Sequence, residues 1–210
     1  GMGSVWLAER ADGTYRQNVA LKTIKPGMDS ATVLAQFRRE RNLLARLQHP
    51  NIAGLIDGGV DDRGRPWFAM DHVQGTDLRD WIQSRPALEQ RLHLFAKLCR
   101  AVAHAHQQLV IHRDIKPGNV LVQANGEPKL LDFGIAKLLA EDDLEQTMTL
   151  HRFASRSYAA PEQLRGEAIT TATDVYALGA LLFEILTGER YAALHQPETP
   201  PTPPSQASRM

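Results

Sequence analysis

The run His112-Arg113-Asp114-Ile115-Lys116-Pro117-Gly118-Asn119, followed after a short hairpin by Asp132-Phe133-Gly134, gathers the groups in this chain best suited to chemistry. A carboxylate, an ammonium, a carboxamide and a second carboxylate stand at the spacing that phosphoryl transfer from a nucleotide requires. Asp114 is the candidate base. In a loose transition state its main work is to orient a hydroxyl for in-line attack. Lys116 would neutralise charge on the group being transferred. Asn119 and Asp132 offer hard oxygen ligands of the kind Mg²⁺ favours.

These residues need elements to position them. Val5–Ala8 and Val19–Ile24 read as strands flanking the turn pair Asp12-Gly13. A helix is expected from about Ser30 to Gln48, with Asp29 or Ser30 as N-cap. Strands near Leu55–Val60 and Trp67–Val73 bracket Asp62-Arg63-Gly64. Leu88, Leu92, Phe95, Cys99, Val102 and His106 recur at helical steps and predict an amphipathic helix with that stripe on the core. Val120–Val122 and Lys129–Leu131, joined through Asn125-Gly126, predict short strands on either side of the chemistry. A further helix, Thr171 to Leu186, is apolar nearly all round and ends at Gly188. From Pro197 to Met210 the composition is that of an extended Pro-rich linker.

In the strand Val19-Ala20-Leu21-Lys22, alternation puts Ala20 and Lys22 on one face. Lys22 either reaches into a site or points to water. The next helix carries Val33, Phe37, Glu40, Leu44 and Leu47 as one stripe, on which Glu40 is the only charge. A carboxylate there is costly unless it meets a cation. Glu40 either pairs with Lys22 or sits at the stripe's edge in solvent, and the pair is the expectation.

Composition bounds the function class. The chain has 210 residues, 43% of them apolar, enough for a substantial core. Lys plus Arg and Asp plus Glu each total 24, which favours neither nucleic acid nor an anionic membrane as a partner. The one cysteine, Cys99, excludes an internal disulfide framework and reads as a small core residue. No segment has the roughly 20 apolar residues of a membrane span, and no signal peptide opens the chain. The expected location is cytoplasmic, with a membrane anchor possible in a longer form.

Together with Ala160-Pro161-Glu162, Asp174 and Gly179, these motifs resemble the protein-kinase family from the first residues to about Gly188. The wording is most similar to the bacterial branch of eukaryotic-type (Hanks-type) serine/threonine kinases. The resemblance implies an α+β, two-lobed fold. A β-rich N-lobe with one helix would cover about 1–73 and a mainly α C-lobe about 74–196, with a tail at 197–210. It further implies transfer of the γ-phosphoryl of Mg-ATP, or Mn-ATP, to protein Ser or Thr hydroxyls. A pseudokinase or nucleotide-binding scaffold, inactive through truncation, is the alternative. An antibiotic-kinase-type phosphotransferase is disfavoured by Ala160-Pro161-Glu162.

By the same resemblance, Gly3 ends a glycine-rich phosphate loop, Val5 roofs the adenine and Leu121 floors it. Ala20 lies beneath adenine, and Lys22, positioned by Glu40, meets the α and β phosphates. Met70 is the gatekeeper before Asp71-His72-Val73, whose backbone faces the adenine edge, and Asp77 lies near the ribose. His112 and Phe133 join Leu44 and Leu55 in a hydrophobic spine, giving His112 a packing role. Arg113 would receive a phosphate on Thr147 or Thr149, among the hydroxyls Thr147, Thr149, Ser155, Ser157 and Tyr158, and autophosphorylation in trans is implied. Ala154-Ser155-Arg156 departs from the family's Gly-Thr-Pro, although Ser155 keeps a hydroxyl for Asp114 and Lys116. The family's first strand and later helices have no counterpart here, so the expected fold is incomplete at both termini and Glu162 is expected to lack its usual arginine.

Overall fold

The computed structural model describes residues 3–9, 16–24, 31–133 and 157–191, with the side chains of residues 3, 24, 31–33, 36 and 40 outside that description. The Asp12-Gly13 turn, the Asp29 or Ser30 cap, Gly134, Thr147, Thr149, Ala154–Arg156 and the Pro-rich tail all lie outside the described residues.

Two sheets and their helices make up the described fold. Strands β1 (Gly3–Glu9), β2 (Asn18–Ile24), β3 (Leu55–Val60) and β4 (Pro66–Asp71) form an antiparallel sheet in the order β1-β2-β4-β3. Lys22 lies opposite Val5 and Phe68, and Ala20 opposite Leu7 and Met70. Because directly paired residues share a face, Val5, Ala20, Lys22 and Met70 point the same way. Helix α1 (Ala31–Leu44) covers that side through Phe37, whose ring lies 4.6 Å from that of Phe68. Arg41 of α1 donates from Nη1 to the Gly58 carbonyl at 2.8 Å, and a side chain at Gly58 would crowd that arginine.

Helix α1 ends earlier than the expected Gln48. Arg46 and Leu47 donate to the carbonyls three residues back, so the last turn tightens while Leu44 and Leu47 both stay buried. The chain then runs into His49-Pro50-Asn51. Asn51 donates from Nδ2 to the Pro128 carbonyl at 2.8 Å, and its own carbonyl accepts from Leu130 N at 2.8 Å. This short parallel junction ties the upper sheet to a second one, β5 (Thr76–Asp77), β6 (Val120–Val122) and β7 (Pro128–Leu130).

The helical part comprises α2 (Leu78–Gln83), α3 (Leu88–Gln107), α4 (Pro161–Arg165) and α5 (Thr171–Thr187). The expected face of α3 is corrected. Leu88 and Leu92 are 57% and 46% exposed, whereas Leu94, Leu98, Ala101, Val102 and Ala105 are buried. Phe95 and Cys99 pack at the edge of the core. Alanine at 101 and 105 lets α5 come close, where Ala177, Leu178, Leu181 and Ile185 complete the core. Burial pushes the Cys99 thiol up. Thr170 caps α5 by accepting from Ala172 N, and Gly188 closes it at φ 80°, which glycine adopts without strain. Val175 and Tyr176 of α5 remain exposed, so the helix is buried along one side rather than all round.

Candidate active site

The two motifs converge between the sheets. A short 3₁₀ turn, Pro117–Asn119, leads from the His112-Arg113-Asp114 loop into β6, and Asp132 follows β7. The hairpin brings the motifs together, with Leu131 N donating to the Asn119 carbonyl at 2.8 Å.

His112 is fully buried. Its Nδ1 accepts from Asp114 N at 3.3 Å, so its Nε2–H donates to the Leu131 carbonyl at 2.8 Å. Its ring packs 4.6 Å from that of Phe133, and burial holds the imidazole below its ordinary pKa, hence neutral. Leu44, Leu55, Met70 and Phe133 line one small apolar pocket beside it.

Asp174, 1% exposed in the first turn of α5, anchors the loop. Its two oxygens accept from His112 N at 2.8 Å and Arg113 N at 2.9 Å. His106 Nε2 meets the same carboxylate at 2.8 Å, a bond the core-stripe reading of His106 did not include. The positive end of α5 further favours a carboxylate there.

Asp114 Oδ2 meets Lys116 Nζ at 2.7 Å and Asn119 Nδ2 at 3.0 Å, while Asn119 Nδ2 also reaches the Asp114 carbonyl at 2.7 Å. Lys22 Nζ meets Asp132 Oδ2 at 2.9 Å, and Asp132 itself is held at φ 48°. Lys22 therefore reaches into the site rather than pointing to water. The expected Lys22–Glu40 pair falls on a side chain outside the described residues. Gly3 opens β1 opposite Ile24, and Val5 is exposed beside the site.

The remaining expected site residues have the following contacts within the chain. Asp71 gives its N–H to the Gly54 carbonyl at 3.0 Å and accepts Gly54 N on Oδ2 at 2.9 Å, so its side chain serves the β3 connection. Asp77 is the N-cap of α2 through Oδ1, while its Oδ2 faces Gly118 of the loop. Leu121 pairs with Asp77 in the second sheet, and Val73 is half-buried between the sheets. Glu162, expected to lack its usual arginine, accepts from Thr173 Oγ1 at 2.7 Å, and this bond holds its carboxyl below the usual range.

Tyr158, read as one of several loop hydroxyls, is 4% exposed. It donates to Glu184, and Arg79 donates to both Tyr158 Oη and Glu184 Oε1 at 3.3 Å. Burial first, and then Glu184, push its phenol far up, so it stays protonated. Nothing in the linear sequence links residues 79, 158 and 184. A single aromatic among hydroxyls was the available signal. Among the described residues no cluster of three metal-binding side chains is formed, and no helix is long and apolar enough to cross a membrane.

The family described as protein kinase domain matches residues 1–200. The chain is 39% identical over 174 residues to the probable serine/threonine-protein kinase PknB of Lactococcus lactis, covering 81% of this chain and 27% of the relative. It is 38% identical over 193 residues to the serine/threonine-protein kinase PrkC of Bacillus subtilis, covering 90% of this chain and 29% of the relative. It thus spans less than a third of the length of these curated relatives. Among solved structures, the PknI kinase domain of Mycobacterium tuberculosis superposes with a TM-score of 0.68 at 31% identity, over 90% of this chain and 70% of that one.

Proposed function

Because this chain belongs to the protein kinase domain family, we propose that it transfers the γ-phosphoryl of ATP to serine or threonine hydroxyls of proteins. The observation that carries this reading is the carboxylate of Asp114. Lys116 and Asn119 hold it at 2.7 and 3.0 Å on a loop whose backbone Asp174 anchors. A base so fixed orients the attacking hydroxyl, which contributes through positioning rather than early proton removal.

The donor set fits a hard divalent cation. Asn119 commits its amide nitrogen to Asp114, so its carbonyl oxygen is the atom it would present, beside the Asp132 carboxylate. Bound Mg²⁺, or Mn²⁺, would neutralise charge on the phosphates. Lys22 would hold the phosphates from above and Lys116 the group in transfer. The face shared by Val5, Ala20 and Met70 would supply an apolar wall for adenine, with Leu121 of the second sheet as its floor. Autophosphorylation in trans on Thr147 or Thr149 follows from the same chemistry, with Arg113 as the phosphate's partner. An ATP-dependent domain without a membrane-crossing helix among the described residues suits the cytoplasm.

The test is transfer of labelled γ-phosphate from ATP, with Mg²⁺ present, to a generic Ser/Thr protein and to the chain itself. Phosphoserine or phosphothreonine is expected. Label on tyrosine alone, or ATP turnover with no protein acceptor, would overturn the reading.

A further inference from the structure

We infer that Gln163 is a positioning residue for Asp114, through a clamp that its carboxamide places on the strained peptide just before that carboxylate. The inference rests on the phosphoryl-transfer reading above for what Asp114 does, but its geometry stands independently.

Arg113 adopts φ 66°, a left-handed conformation that a non-glycine residue keeps only where its surroundings over-determine it. Three side chains do so. Asp174 takes the Arg113 N–H at 2.9 Å, His112 Nδ1 takes the Asp114 N–H at 3.3 Å, and Gln163 Nε2 donates to the Arg113 carbonyl at 2.8 Å. The Arg113 carbonyl and the Asp114 N–H belong to one planar peptide unit that also carries the Asp114 Cα. Gln163 and His112 therefore grip opposite edges of the plane from which the Asp114 side chain departs.

The orientation of the carboxamide follows from its partners. Its Oε1 accepts from Ala160 N at 3.1 Å while its Nε2 meets a carbonyl, and a backbone N–H and a backbone carbonyl each have one polarity. Gln163 thus has two separable duties, capping the start of α4 and clamping the Arg113 peptide. Helix α4 is in turn tied to α5 by the Thr173–Glu162 bond and directly follows Tyr158 and Ala160, both buried. The carboxamide is the described side-chain bond from α4 to the loop, and it makes the geometry of Asp114 depend on how the segment leading into α4 is seated.

The two duties are separated by Gln163→Glu and Gln163→Ala. Glutamate keeps an oxygen for Ala160 N but has no N–H for the Arg113 carbonyl, whereas alanine loses both. Thermal unfolding, kcat and KM for ATP, and amide hydrogen exchange of the 111–116 segment are measured on the whole chain. For Gln163→Glu, unfolding close to the unsubstituted chain and an unchanged ATP KM are expected. The expected loss is a kcat lower by about three- to tenfold, as for one lost hydrogen bond, with exchange at 111–116 faster by a similar factor. A Gln163→Glu variant that matches the unsubstituted chain in kcat and exchange, while Gln163→Ala melts lower, would make Gln163 a helix cap and overturn the inference. If the unsubstituted chain transfers no phosphate, the functional reading fails instead, and the exchange comparison alone decides whether the clamp exists.

Discussion

The two carboxylates of the site are held in unlike ways, and this divides their work. Asp114 is enclosed by Lys116 and Asn119, while Asp132 faces Lys22 across the cleft. Asp132→Asn removes the charge proposed to ligate Mg²⁺, so it is expected to weaken Mg-dependent nucleotide binding. Asp114→Asn should leave that binding intact and lower kcat by about 10²- to 10⁴-fold, because the interaction lost matters mainly in the transition state. Titration of nucleotide with and without Mg²⁺, alongside turnover, checks both, and equal loss of affinity in the two variants would contradict the assignment. Much of this site was legible in the chain. His112 to Asn119 and Asp132 lie within two short runs, so their types and spacing foretold which side chains the hairpin brings together. The side-chain bond of Asp71 was not legible, because its carboxylate is drawn to Gly54 by a β-connection whose geometry no local pattern encodes. The Thr173 bond of Glu162 was not legible either, because the expectation considered only the family's arginine and Thr173 belongs to another helix.

At the level of elements, hydrophobic period gave six of the seven described strands and three of the five described α-helices, missing the two-residue β5 and the short α2 and α4, and it misplaced the facing of α3. That helix carries two overlapping apolar stripes one residue apart, which is about 100° of rotation. The larger side chains Leu88 and Leu92 favour one stripe on the sequence alone. The packed fold uses the other, because Ala101 and Ala105 allow the close approach of α5 that large side chains would prevent. The end of α1 was similarly ambiguous, since a tightened last turn keeps Leu44 and Leu47 on one side as well as an α-helix does. The two facings of α3 make different predictions. Leu98→Ala, at a side chain with 1% exposure, should cost about 2–5 kcal/mol of stability. Leu92→Ala, on the exposed side, should fall within about 0.5 kcal/mol of the starting chain. Denaturant unfolding of the two variants decides, and a larger loss at Leu92 would restore the stripe read from the sequence.

For the molecule as a whole, two of the contacts that join its parts involve imidazoles held below their ordinary pKa, and this predicts a response to acid. His112 fastens the 112–119 loop to Leu131 and Phe133. His49 fastens the α1–β3 connection to α3, with its Nδ1 accepting from Asn51 N at 3.1 Å and its ring 5.3 Å from that of His104. Burial lowers the pKa of both, and at His49 the charges of His104, Arg100 and Lys129 lower it further. In the unfolded chain each would titrate near 6.5. Above that pH both states hold the imidazoles neutral, and the stabilising contribution is fully present. As pH falls below it, the unfolded chain gains protons that the folded chain refuses, so stability is lost progressively toward the lower folded values. One such imidazole contributes a slope of at most about 1.4 kcal/mol per pH unit, the limit set by a single proton. The depressed carboxyls of Glu127 and Glu162 act in the same direction but at lower pH, beginning near their ordinary values. Melting temperature should therefore be nearly level from pH 8 to 7 and fall between pH 6.5 and 5, before the carboxylates contribute. His49→Asn keeps a side-chain oxygen for Asn51 N and removes one titrating ring, so the fall should become shallower. A melting temperature that stays level down to pH 5, or a slope that His49→Asn leaves unchanged, would show that these imidazoles do not govern the acid limb.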